Sequence, residues 1–578
     1  MSLPEPMEEN QPNQEQPAAE FSLANDENSA LPSADDETAP ATDTVPSETI
    51  LIDEGQDKSE TVLIDEGQDT VEEPEPKAEQ VVESDALASP ETPSTASPSI
   101  KPPSPDDIAE HGLNALEERE LLQMFLRMPA LEAAEIEEAA EPITPLLEIT
   151  PELEAQVLSH IDLVGLLTTL NDWVSIPSLD GTPEENLAQE AVAETMRELG
   201  LEVETWVFNY DGLRDHPAFS VEVERPRSLG VVGKLGAGNG RSLILNGHTD
   251  VVPAGDVEQW TVPPWQVTVD HESGRVYGRG ALDMKGNLAC AVYAAKAVLD
   301  AGLTLNGRVL IQSVVGEEDG GVGTLAAVVR GYKADAAIVL EPTELMIAPA
   351  QAGALNFRVT IPGYPAHGAM RAEGVDPIEK FLLVYQAILA FEKVRNAHVD
   401  HPMFTAYELP YPICVGTIRG GNWASTVAES LTFEGRLGIA VDEKPAEARR
   451  KFEELIAQTA QADPWLRDHP PTVEWWGGQF APAAIRTNHP IIKTVSDAYT
   501  KITTQEPTLQ GMPYGADMRL LVNEGNIPTI MFGAGDVRKA HQFDEFVPLD
   551  ELETVAKTIA LTILHFCGVQ APSADNED

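Results

Sequence analysis

The stretch Arg308–Gly323, RVLIQSVVGEEDGGVG, begins as an apolar run and ends in two adjacent carboxylates, Glu317 and Glu318, with Asp319 beside them. A nearly continuous apolar run of this length reads as a strand covered on both faces, the kind found in parallel sheets. Adjacent like charges repel, and burying them is costly unless a cation or a proton compensates. The glycines that follow let the chain turn tightly around them.

Neighbouring segments repeat the pattern. SLILNG (242–247) and DAAIVLEP (335–342) read as further buried strands, and MKGNLACAVYAAKAVLDAG (284–302) as a helix apolar on most faces. EENLAQEAVAETMRELG (184–200) is a helix ended by Gly200. Strands alternating with helices imply an α/β domain with a doubly covered, mostly parallel sheet. Over residues 354–480 the texture becomes strand, helix, two strands, helix, strand, the size and order of an inserted α+β module. The expected organisation is therefore a catalytic domain in two parts, 151–353 and 481–570, interrupted by a module at 354–480. Peripheral helices and a linker are expected over 111–150, and a short disordered end over 571–578.

The charge is lopsided, with 96 acidic against 37 basic side chains. Residues 1–150 hold 38 of the acidic and only 5 of the basic ones. The first 110 residues are rich in Glu, Asp, Pro, Ser and Thr and cannot bury enough apolar surface to offset chain entropy, so they read as a disordered tail. Within them ETILIDEGQD (48–57) and ETVLIDEGQD (60–69) form a repeat of period 12. Either it is a duplication in a neutral tail, or residues 48–69 are a docking motif for a protein partner, adding a strand to that partner's sheet edge. A polyanion of this kind excludes nonspecific nucleic-acid binding and is repelled by anionic membranes. Cys290, Cys414 and Cys567 lie too far apart for a thiolate metal site, and no basic-apolar leader or long apolar run is present; a cytoplasmic protein is expected.

The polar residues that follow the predicted strands carry the chemistry. His248 and Asp250 follow the strand at 242–247, Asp283 precedes a helix, Glu317 and Glu318 end the opening stretch, Glu341 ends the strand at 335–340, and His541 lies in FGAGDVRKAHQFDEF (532–546). In open α/β sheets the active crevice lies beyond the carboxyl ends of the strands. Imidazoles and carboxylates converging there, without sulfur, suit divalent metals of the zinc type. Asp319 and Asp256 are expected to be surface carboxylates, and His271, His401, His469 and His489 ordinary loop residues. Trp260 and Trp265 are expected to pack the wall of the crevice.

LNGHTDVVPAG (245–255), GRVYGRGALDMKG (274–286), GEEDGGVGT (316–324), LEPTE (340–344), GYPAHGAMRAEGVDPI (363–378) and AHQFDEF (540–546) together resemble the M20 family of metallopeptidases and amidohydrolases, in its acetylornithine deacetylase/succinyl-diaminopimelate desuccinylase branch. The resemblance spans roughly residues 155–570. It implies two divalent metal ions, zinc with cobalt or manganese as alternatives. His248 and Glu341 would hold one, Glu318 and His541 the other, and Asp283 would bridge them, its following peptide cis. Asp250 would orient His248, and Glu317 would serve as general base and then hand its proton to the leaving amine. Within the inserted, ferredoxin-like module, His367 would reach into the partner's site of a homodimer joined through 354–480 and stabilise the oxyanion. Arg436 and Asn422 would hold a substrate carboxylate, and Gly533, with Gly535, would line the floor near the scissile group. The implied substrate is a small N-acyl amino acid or a peptide, cleaved at its amide bond; a carboxypeptidase or dipeptidase has the same mechanism. The contrasting expectation is a non-catalytic scaffold, which the complete residue set, base included, argues against.

Overall fold

The computed structural model describes residues 146–571. The acidic tail, its repeat, most of the 111–150 segment and residues 572–578 lie outside the described residues.

Proline opens most of the helices at the position where its missing N–H costs nothing. Helices α1 (Pro151–Ser159), α2 (Leu163–Val174) and α3 (Pro183–Glu198) lead into strands β1 (Glu202–Phe208), β2 (Ser228–Leu235) and β3 (Ser242–His248). Helix α4 (Lys285–Asp300), strand β4 (Arg308–Val314), helix α5 (Val322–Arg330) and strand β5 (Ala336–Val339) follow. Thr150 caps α1 through its side chain and Asp162 caps α2 by accepting the Gly165 N–H at 2.9 Å, each satisfying a helix-end donor.

These strands, with β10 (Thr529–Met531) from near the chain's end, form one six-stranded sheet in the order β1-β2-β4-β3-β5-β10. The pairs β4/β3, β3/β5 and β5/β10 are parallel, whereas β1/β2 and β2/β4 are antiparallel. The doubly covered, mostly parallel sheet is thus present, with an antiparallel edge that the sequence pattern did not disclose. The reason is visible in burial: β3 is buried along its whole length, while edge strand β1 is exposed or half-buried throughout and lacks the apolar run of a central strand. Helix α4 is buried on nearly every face, between the sheet and helix α9 (Leu549–Cys567).

Residues 353–480 build a second sheet. Strand β6 (Gly353–Pro362), helix α6 (Pro377–Asn396), strands β7 (Ile413–Gly420) and β8 (Ser430–Ile439), helix α7 (Pro445–Ala462) and strand β9 (Thr472–Phe480) pair as β7-β8-β6-β9, all antiparallel. This is the βαββαβ ferredoxin-like arrangement. Its own core centres on Phe357, whose ring lies 4.6 Å from Phe452 and 6.1 Å from Phe433. Helix α8 (Pro490–Thr503), β10 and α9 then return to the first sheet. Among the described residues no helix is long and apolar enough to cross a membrane.

A candidate metal-binding active site at the carboxyl ends of the parallel strands

The carboxyl ends of β3, β4 and β5 lie side by side because their registers match: His248 pairs with Val314, and Asn246 with both Gln312 and Val339. Each strand therefore delivers its next polar residue to the same rim. His248 ends β3, Glu317 and Glu318 follow β4, and Glu341 follows β5. Asp283 comes from the turn before α4, across a cis Asp283–Met284 peptide. His541 comes from the loop after β10, 223 residues beyond Glu318.

The groups converge closely. His248 Nε2 stands 3.3 Å from one oxygen of Asp283, and His541 Nε2 stands 3.2 Å from the other. His541 Nε2 is also 3.1 Å from Glu318 Oε1. Donor atoms of His248, Glu317 and Glu341 lie within 4.8 Å of one another, as do those of His248, Asp283 and Glu318. Asp283, Glu317, Glu318, Glu341 and His541 line one small cleft of about 160 Å³ with Tyr514, Gly515, Val537 and Ala540.

The electrostatics call for cations. Burial, reinforced by the neighbouring carboxylates Glu341 and Asp517, pushes the Glu317 carboxyl well above its ordinary range; burial and Asp283 do the same to Glu341. Burial opposes a charge on His541, yet Asp283 and Glu318 outweigh it and push the imidazole up to about 11. Glu317 Oε1 is buried with no hydrogen-bond partner. Glu317, Glu318 and Glu341, with raised proton affinity, and Asp283, held down by the two imidazoles, form with those imidazoles a nitrogen and oxygen donor set, and divalent ions fit it.

Residues around the rim fix this geometry. His248 Nδ1 lies 2.9 Å from the main-chain oxygen of Asp250, while the Asp250 carboxylate is 3.7 Å away and instead accepts the Glu318 N–H at 3.0 Å. Asp250 therefore steadies both a histidine and the glutamate loop. Gly320 has φ +148°, and a Cβ there would come within 2.0 Å of the Ser220 carbonyl oxygen. Arg519 Nη2 donates to the Gly320 oxygen at 2.7 Å. Trp260 is buried, donating its indole N–H to the Ala254 oxygen at 2.9 Å.

Asp319 corrects an expectation. It is buried, not a surface carboxylate, and accepts from Arg225 Nη1 at 2.8 Å and from the Val223 N–H at 2.9 Å. Arg225 also reaches Asp180 at 2.7 Å and Glu185 at 2.8 Å. The partner lies 94 residues away, so nothing local to GEEDGG announced it. Asp256 is an exposed cap on a short turn of helix, and His489 caps α8 through its side chain.

The remaining expected residues lie apart from the cleft lining within this chain. His367 and Asn422 are exposed on the second sheet's module, His367 Nδ1 accepting the Ala369 N–H at 3.1 Å. Arg436 on β8 donates to the Pro513 oxygen at 3.2 Å, beside Tyr514. Burial pushes its guanidinium down, and no carboxylate offsets that. Gly533 is buried behind Glu341 instead of forming an open floor: a Cβ there would meet the Glu341 main-chain oxygen at 2.5 Å and Asn287 Nδ2 at 2.8 Å. Gly533→Ala is accordingly expected to cost about 1–3 kcal/mol through overpacking, read as a lower urea midpoint at constant slope.

Tyr514, Asp517, Arg519, Arg279, Glu545 and Arg225 were not singled out by sequence reasoning. A signal existed for the first three, since GMPYGADMR (511–519) combines glycines with charged residues ahead of a buried stretch. Tyr514 donates its hydroxyl to the Pro342 oxygen at 3.0 Å.

A mixed sheet with histidines and carboxylates at its strand ends, in one chain with a ferredoxin-like module, is an arrangement that suits a hydrolase of the metallopeptidase type. The family model for peptidase family M20/M25/M40 matches residues 244–565, and the chain belongs to that family. It is an enzyme that hydrolyses amide or peptide C–N bonds. Its relatives include the N-formyl-4-amino-5-aminomethyl-2-methylpyrimidine deformylase of Halalkalibacterium halodurans, 29% identical over 442 residues that cover 71% of this chain and 97% of the relative. The succinyl-diaminopimelate desuccinylase of Methylobacterium radiotolerans is 30% identical over 406 residues, covering 67% of this chain and 93% of the relative. Among solved structures, the dipeptidase Dug1p of Saccharomyces cerevisiae superposes with a TM-score of 0.58 at 13% identity, covering 72% of this chain and 98% of that one. Human carnosine dipeptidase 1 does so with a TM-score of 0.56 at 16% identity, covering 73% and 100%. At such identities the likeness is one of fold.

Proposed function

We propose that the chain is a dinuclear metal-dependent amidohydrolase releasing a small acyl group from an N-acyl amino acid. The observation that carries this reading is the paired donor set, with Asp283 facing His248 through one oxygen and His541 through the other. His248 and Glu341 would hold one ion, Glu318 and His541 the second, and Asp283 both; zinc suits the donors, with cobalt or manganese as alternatives. Bound there, the ions supply Lewis acidity to the scissile carbonyl and lower the pKa of the attacking water. Glu317, buried at the cleft with one oxygen unpartnered, takes the water's proton and passes it to the departing nitrogen. Arg436, half-buried and uncompensated by any carboxylate, is placed to hold the carboxylate of the amino acid half. His367 and Asn422 then complete the pocket from a partner subunit.

A second reading, hydrolysis of an N-formyl group from a heteroaromatic methylamine, draws on the deformylase relative, which aligns over nearly its whole length. A panel of N-formyl, N-acetyl and N-succinyl amino acids, dipeptides and N-formyl arylmethylamines, each with zinc, manganese and cobalt, separates the two. Turnover confined to the arylmethylamines selects the second reading, and none on any substrate with metal bound selects a scaffold.

The partner subunit has a docking face. Ile378, Leu382 and Leu389 share one side of α6 and are exposed by 50%, 53% and 43%; Ile418 on edge strand β7 adds 52%. We expect light scattering to give twice the 62.4 kDa chain mass. Leu382→Asp with Leu389→Asp should yield a folded monomer, inactive because His367 no longer reaches a second site. The three free cysteines, two of them buried, accord with a cytoplasmic enzyme.

A further inference from the structure

Behind the cleft lies a buried ion pair that touches none of the reacting atoms yet meets all three loops around Asp283 and His541. Glu545 is fully buried and Arg279 is 2% exposed. One oxygen of Glu545 accepts three consecutive-turn N–H groups: Gly280 at 2.9 Å, Leu282 at 3.1 Å and Asp283 itself at 3.2 Å. The other oxygen takes Arg279 Nη1. Arg279 Nη2 then donates at 3.3 Å to the Pro253 oxygen, in the loop after His248, and at 3.3 Å to the Gln542 oxygen, next to His541. Its guanidinium also lies over the Trp260 ring, 5.3 Å from the centroid.

The loop that carries His541 needs such an anchor. His541 and Asp544 both have positive φ, +61° and +54°, conformations that side-chain-bearing residues adopt at a cost unless their surroundings enforce them. Asp544 is held by the Thr261 N–H at 2.7 Å, and Glu545 closes the turn four residues after His541. On the opposite side, the N–H groups of the Gly280–Asp283 turn would be buried and unpaired without the Glu545 carboxylate, so the turn would relax toward other partners.

We propose that Glu545 and Arg279 are a positioning pair that sets the separation of Asp283 and His541, and with it the affinity of the site they share with Glu318 for a divalent cation. The inference rests on the metal-dependent reading above and goes beyond it by assigning cation affinity to residues that do not ligate. Outer partners of ligands typically govern affinity by about 10–100-fold. Glu545→Gln preserves shape but has only one acceptor oxygen: serving the turn, it leaves an amide N–H₂ against Arg279, and serving Arg279, it leaves the turn N–H groups unpaired; either way the charge that holds the three loops together is gone.

The test is competitive zinc titration against a fluorescent chelator, alongside melting of the metal-free protein, for the full chain, Glu545→Gln, Arg279→Lys and a control. The control is Glu443→Gln, which breaks the half-buried 2.6 Å pair with Arg395 in the second sheet's module, remote from the cleft. The expected result is a 10–100-fold weaker zinc affinity for one of two ions in Glu545→Gln and Arg279→Lys, with a metal-free melting shift no larger than the control's and zinc affinity unchanged in the control. Unchanged zinc affinity in both site variants overturns the proposal, as does an equal loss of affinity in Glu443→Gln. If Glu545→Gln does not fold, Arg279→Lys decides alone. Two zinc ions on the wild-type chain with no difference among variants leaves the metal-dependent reading standing and sinks the positioning pair; no zinc on the wild type overturns both.

Discussion

Glu317→Gln is expected to lower kcat about 10²–10⁴-fold while the protein still binds two ions per chain. Glu317 and Glu318 are adjacent, but the structure separates their surroundings. Glu318 has His541 Nε2 at 3.1 Å and its own N–H tied to Asp250, so its carboxylate has a neighbour with which, in the proposed reading, it would share a cation. Glu317 has a buried oxygen with no partner at all, and burial with surrounding carboxylates raises its proton affinity. A group that readily accepts a proton and has a free lone pair facing the cleft suits proton transfer, and the amide of Gln can neither accept nor return that proton at neutral pH. The measurement is kcat on the best substrate of the panel, paired with metal content by mass spectrometry. Unchanged turnover, or loss of metal with loss of turnover, contradicts the division of labour between the two glutamates.

Asp283→Asn is expected to do more: to abolish turnover and to empty the site of at least one ion. Its two oxygens face the two histidines at 3.3 and 3.2 Å, so this one side chain spans both halves of the donor set. Burial alone would raise its pKa, but His248 and His541 outweigh that and hold it ionised. An amide in its place offers one weak acceptor and one donor aimed at a cation. Metal content of one ion per chain or less, at unaltered far-ultraviolet circular dichroism, is the expected reading. Two tightly bound ions in the variant would remove Asp283 from its bridging place.

Much of this was legible in the chain because parallel strands advertise themselves. The apolar runs at 242–247, 309–314 and 336–339 are buried on both faces, and the first polar side chain beyond each run stands at the rim. That logic alone finds His248, Glu317 and Glu341. It does not find β1, whose half-buried face resembles many solvent-exposed segments, nor β2, whose pairing is with an antiparallel neighbour. It also fails for groups whose meaning is a partner far off in sequence. Asp319 looks like one more surface acid until Arg225 is seen beneath it, and Glu545 looks like the end of HQFDEF until its oxygen is seen to hold the turn before Asp283. His367 and Asn422 do not line the cleft within one chain, and the proposed reading gives them a place there only through a second subunit.

The wide spacing of the donor groups bears on biosynthesis. As the ribosome delivers the polypeptide from its N-terminus, His248, Asp283, Glu318 and Glu341 emerge first among these groups, followed by the entire ferredoxin-like segment. The last imidazole arrives 223 residues after Glu318, and the closing strand at 529–531 shortly before it. A nascent chain therefore exposes an incomplete, acid-rich rim while the segment from Glu341 to His541 is made. Any product ending before residue 541 lacks the second imidazole of the donor set however well the rest has folded.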